Sequence, residues 1–207
     1  MTSAFEAPSA EQNSRVALFQ DATLLDYPKR PPFDPSEAFP EDPSRGEVGS
    51  ERNRIYAAVR ETLELLGLDA AHRGTPDWNP LGDLVRPGGR VVLKPNLVDV
   101  KQAWIALGGE TILDMVTHGS VLRPLADYAF RAVGPEGRIV IADAPLVHAD
   151  FDAVVEGAGI REMVRILAER GMPVTLLDLR EEFFERWTAE RHDLGCTWRR
   201  RPAGRSR

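Results

Sequence analysis

The sequence is poor in cysteine, with Cys196 alone among 207 residues. One thiol excludes an intrachain disulfide. It also excludes a four-thiolate zinc or iron–sulfur site built from this chain, since each needs several thiolates. Long apolar runs are missing too: no stretch reaches eighteen residues, and the opening MTSAFEAPSAEQ has no basic segment leading into an apolar one. Neither a membrane span nor a secretory leader is expected, and the chain reads as cytoplasmic. No GxGxxG, Walker lysine loop, HExxH or GxSxG occurs. Nucleotide, zincin and serine-hydrolase readings therefore have no motif behind them.

What is present suffices for one ordinary domain: 43% hydrophobic and 28% charged residues, with 17 glycines and 16 prolines. These totals point to neither a fibrous repeat nor wholesale disorder. The formal charge of −6 is unevenly spread. Residues 199 to 207 carry five arginines and no acid, and removing them leaves 21 basic against 32 acidic residues, or −11. So acidic a body repels phosphate backbones, and nucleic acid is not expected as a partner.

Along the chain, residues 1 to 14 read as a disordered lead, and RVALFQ at 15 to 20 as a short buried strand. Residues 28 to 43 hold six of the sixteen prolines, which predicts an extended surface connection or lid. Ser50 is a plausible N-cap for a helix in which Ile55, Val59, Leu63 and Leu66 recur at helical spacing before Gly67. RVVLK at 90 to 94, RIVIA at 138 to 142 and PVTLLDL at 173 to 179 read as strands. Helices are expected over 120 to 133 and 160 to 170. The alternation predicts an α/β domain over 15 to 180. It would have a mostly parallel sheet of about four strands, joined by βαβ crossovers with helices on both faces. An uncovered sheet edge would leave room for a homo-oligomer. Residues 181 to 207 read as an aperiodic basic tail.

In such a sheet, ligands gather beyond the carboxyl ends of the strands. Lys94 and Asn96 follow one predicted strand, Asp143 the next, and Asp178 with Arg180 the last, while Thr117, His118 and Ser120 precede a helix at the same edge. Lys94 can bind a phosphate or carboxylate there, or pair with Asp143 across adjacent strands. Asn96, Thr117, Ser120 and free helix N–H groups are candidate anion contacts. His118 and Asp143 are the candidate acid/base pair. Asp143, His148 and Asp150 are candidate ligands for Mg²⁺, Mn²⁺ or Zn²⁺, with helix capping at Phe151 as the competing role for Asp150.

VVLKPNLV at 91 to 98, THGSVLRPLADY at 117 to 128 and IVIADAPLVHADFDAVVEGAG at 139 to 159, with TLLDLR at 175 to 180, resemble the domain of unknown function 362 family. The resemblance spans about residues 15 to 180 and falls on Lys94 to Asn96, Thr117 with His118, and Asp143 to Pro145. It implies the same crevice and is nearly silent about a reaction. Some relatives carry cysteine-rich iron–sulfur segments; with Cys196 alone, no cluster is expected here. Relatives often continue well past the DLR motif, so this chain is expected to be a truncated N-terminal part. The expected function is enzyme-like binding of an anionic small molecule, with a non-catalytic interaction module or inactive fragment as the alternative.

Overall fold

Three short runs of β-branched and aliphatic residues, each entered through a glycine or proline turn, make the sheet. In the computed structural model, which describes residues 15–24, 26–98, 115–180, 182–190 and 193–200 (the last two as backbone), they are β1 (Arg90–Leu93), β2 (Arg138–Asp143) and β3 (Val174–Asp178). All pair in parallel in the order β1-β2-β3, with Val91 opposite Ile139 and Ile139 opposite Val174. The protein is thus mixed α/β, as expected, with three parallel strands among the described residues. The predicted strand at 15 to 20 does not form. Val16 and Leu18 are 92% and 82% exposed there, because an apolar run becomes a strand only beside an edge that accepts it.

Helix α1 (Arg54–Leu65) begins three residues later than Ser50 would set it. Asn53 is the cap. Its Oδ1 accepts from the Tyr56 N–H at 3.1 Å while its Nδ2 donates to the Phe33 carbonyl at 2.8 Å, a double role beyond a serine hydroxyl in that geometry. Helix α2 (Gly119–Val133), the short α3 (Phe151–Gly157) and α4 (Ile160–Glu169) follow. Gly171 leaves α4 at φ +81°, the left-handed turn that glycine permits.

The strand order explains where the core lies. When consecutive parallel strands are laid down in one direction by right-handed crossovers, every crossover helix falls on the same face. Accordingly Val91, Leu93, Ile139, Ile141, Val174 and Leu176 pack with the apolar faces of α2, α3 and α4 in one cluster. Helices on both faces were expected; among the described residues the opposite face carries none of this core, and Val92 on it is 57% exposed.

The proline-rich segment is bolted down rather than lid-like. Asp34 accepts from Arg123 at 2.6 Å and from Arg170 at 2.7 Å, and Glu51 accepts the N–H groups of Lys29 and Arg30. Glu41, 2% exposed, accepts from Arg60 at 2.7 Å and from the Tyr128 hydroxyl at 2.6 Å. Arg60 itself lies between the rings of Phe39 and Trp78. After β3, the segment expected to be an aperiodic tail contains two antiparallel strands, β4 (Glu182–Glu190) and β5 (Asp193–Arg200), which form a separate sheet.

Candidate functional site

At the carboxyl end of β1, Lys94 leaves the sheet with its side chain 68% exposed. Its ammonium group donates to Asp143 Oδ1 at 2.8 Å and to the Pro95 carbonyl at 3.2 Å. Asp143 ends β2 and is 3% exposed; its Oδ2 accepts from the Leu97 N–H at 2.8 Å. The carboxylate is satisfied on both oxygens, once by a charge and once by the backbone, so it anchors the KPN turn to the neighbouring strand. An ammonium group has three donors. Two are used here, and the stem lies largely in solvent.

Asn96 and Thr117 close on each other. The Asn96 N–H donates to Thr117 Oγ1 and the Thr117 N–H to the Asn96 carbonyl, both at 2.9 Å, while Asn96 Nδ2 donates to the Met115 carbonyl at 2.8 Å. This reciprocal clamp joins the chain after β1 to the start of α2. It uses one Asn96 Nδ2 donor on the Met115 carbonyl and the Thr117 oxygen as an acceptor.

His118, not Ser120 or Thr117, is the N-cap of α2. Its Nδ1 accepts from the Ser120 N–H at 3.2 Å, which assigns the ring proton to Nε2, and the Ser120 hydroxyl lies 2.8 Å from the same nitrogen. The Gly119 N–H donates to the Ala158 carbonyl and the Val121 N–H to the His118 carbonyl. The first turn of α2 therefore offers no free N–H to an anion, and Ser120 is fully buried. A side chain at Gly119 would meet the Phe33 ring and the Ala158 carbonyl, so only glycine permits this approach. Tyr27 stacks on the His118 ring at 4.6 Å and Phe33 tilts against it at 4.8 Å. Burial pushes the imidazole down to about 4, so it is neutral at pH 7. A neutral, covered ring with an occupied Nδ1 is a cap rather than a poised acid or base.

The residues suggested for a metal are not gathered into a donor set. Asp150 caps α3, its Oδ1 accepting from the Ala153 N–H at 3.1 Å, and Asp143 is spent on Lys94 and Leu97. His148 lies exposed between them in sequence. Among the described residues no group of three or more His, Cys, Asp or Glu side chains is placed to hold an ion. At the third strand, Arg180 grips Asp178 through Nε at 3.0 Å and Nη2 at 2.8 Å, and its Nη1 donates to the carbonyls of Leu146 and Ala149. It thus ties the loop after β2 to β3.

Sequence reasoning missed the cover over His118. Phe33 comes from the proline-rich segment and Tyr27 from the position just before it, both more than eighty residues away in the chain. The usable signal was that segment's alternation of prolines with Phe33, Asp34, Phe39 and Glu41, which suits a packed connection better than a solvated one. Fold and rim define a mixed α/β protein with a parallel three-stranded sheet whose carboxyl end presents one exposed ammonium group. No protein-family model, no curated protein and no solved structure matches the chain.

Proposed function

We propose that this chain is a cytoplasmic, enzyme-like α/β protein, akin to the domain of unknown function 362 family, that binds a small anionic molecule at the carboxyl rim of its sheet. The reading is carried by Lys94, whose ammonium is pinned by Asp143 and the Pro95 carbonyl while its side chain stays 68% exposed. A cation held in place at this edge binds a phosphate or carboxylate with little ordering left to do. Metal assistance through Asp143, His148 and Asp150 is not part of the proposal, because capping and ion pairing already commit two of the three.

Thermal unfolding in inorganic phosphate tests this. At a hundredfold excess over Kd a ligand adds about 2.7 kcal/mol, which for a domain of this size is roughly 5–10 °C in Tm. Lys94→Ala should abolish that shift while costing about 1–3 kcal/mol of unliganded stability, because the buried Asp143 carboxylate keeps the Leu97 N–H but loses its charged partner. An unshifted wild type, or an equal shift in Lys94→Ala, would sink the proposal. The alternative reading, an interaction module, draws on a different feature, the face of the sheet that carries no helix among the described residues.

A further inference from the structure

Parallel sheets are buried on both faces, because βαβ crossovers lay helices over them. Here the described crossover helices α2, α3 and α4 all pack on one side, and the opposite face is built from the alternate residues. Arg90 and Val92 of β1 stand beside Arg138 and Val140 of β2, with Thr175 and Leu177 next to them on β3. Val92 is 57% exposed in the middle of this apolar strip, and Val140 is only half-buried. At the amino end of the strip, Arg90 and Arg138 are ladder partners, an arrangement in which like charges repel. Neither guanidinium has a carboxylate or carbonyl partner among the described residues, whereas Arg60, Arg123, Arg165, Arg170 and Arg180 all do. The two line a groove of about 460 Å³ together with Glu136, Val140 and Thr175.

We propose that this face docks an amphipathic helix of a separate polypeptide, its apolar stripe on Val92, Val140 and Leu177 and its acidic side chains over Arg90 and Arg138. A helix is the element that covers a parallel sheet. The charge selects its chemistry: two exposed guanidinium groups without an ion-pair partner among the described residues outnumber the one carboxylate of the groove, Glu136, and added carboxylates relieve their repulsion. A second copy docking through the same face brings two more unpaired arginines, and the chain's own residues 199 to 207 bring five. Both add like charge.

The test uses the full chain, ¹⁵N-labelled, titrated with two synthetic amphipathic helices of about 18 residues, near 27 Å at 1.5 Å per residue. Both carry a leucine stripe, one flanked by glutamates and the other by lysines. The glutamate helix should shift the amides of β1, β2 and β3 and bind at least about tenfold more tightly than the lysine helix, a difference of about 1.4 kcal/mol. Charge reversal in Arg90→Glu with Arg138→Glu should invert that preference, and Val92→Asp should remove binding of either helix with an unchanged circular dichroism spectrum. Absent shifts, equal binding of the two helices, or indifference to the charge reversal overturns the proposal. So does a concentration-dependent dimer dispersed by Val92→Asp, which gives the face to a second copy. Slow exchange of the strand amides that deletion of residues 99 to 114 abolishes also overturns it, by giving the face to the chain itself.

Discussion

His118 shows how one residue serves structure where its type suggests chemistry. The ring caps α2 through Nδ1, lies between Tyr27 and Phe33, and is held neutral by burial, with its pKa pushed down to about 4. In the unfolded chain an imidazole titrates near 6.5. Between those values the unfolded state binds the extra proton, so this group's stabilising effect is complete above about pH 6.5 and is lost as the pH falls through 4. At 1.36 kcal/mol per pKa unit the loss is about 3 kcal/mol. Asp127 works in the opposite sense over much of the same range. Burial raises its carboxyl to about 6 despite the Arg123 and Tyr56 hydrogen bonds, so its protonation favours the folded state as the pH falls below 6. The wild-type profile mixes both effects, and His118→Asn separates them because asparagine can still cap. The variant should be the less stable at pH 7, and its deficit in urea unfolding should shrink by about 3 kcal/mol between pH 7 and pH 4. Parallel profiles would mean that the ring is solvated and titrates normally.

At the scale of elements, the proline-rich segment is the part that local pattern could not foretell. Its anchors join residues far apart in sequence: Asp34 meets Arg170 across 136 positions, and Glu41 meets Tyr128 across 87. No periodicity says which carboxylate finds which guanidinium. The strands and helices were readable because their signals are local. β-branched runs make β1 to β3, helical spacing of apolar residues makes α1, α2 and α4, and Asp150 before Phe151 is the cap it looked to be. Lys94 with Asp143 was legible as well, since consecutive parallel strands set their ends side by side. The Asn96–Thr117 clamp and the closed first turn of α2 were not, because they depend on where Met115 and Ala158 arrive in space. The anchors carry a definite energetic expectation. Burial alone would raise the Glu41 carboxyl, but the Arg60 and Tyr128 hydrogen bonds outweigh it and hold it below the usual range. Glu41→Leu therefore leaves the largely buried Arg60 guanidinium with Glu64 as its one carboxylate among the described residues and the Tyr128 hydroxyl without its acceptor, and should cost about 3 kcal/mol, whereas Glu41→Leu with Arg60→Met should cost clearly less than the sum of the single changes. Additive losses in denaturant titrations would show that the two side chains act separately.

For the whole molecule the open question of architecture is how the sheet is completed. Three parallel strands with one covered face make a thin scaffold, and both β1 and β3 are edges of their ladder among the described residues. The central strand β2 is bonded on both sides and lies over the core through Ile139 and Ile141, neither of them exposed. Local opening free energies follow such differences, from near zero in unpaired segments to the global value in central strands. Native-state hydrogen exchange should therefore rank the amides of Ile139 to Ile141 with global unfolding and those of β1 below them. Val16 to Phe19, with Val16 and Leu18 open to solvent, should exchange near unprotected rates. Protection of Val16 to Phe19 at the level of β1 would mean that this run pairs at an edge after all, restoring the fourth strand that its apolar sequence suggested. The same measurement bears on the outer face. Lone covering of that face by a partner would slow Val92 and Val140 only when the partner is added, and leave the rank order of the other strand amides unchanged.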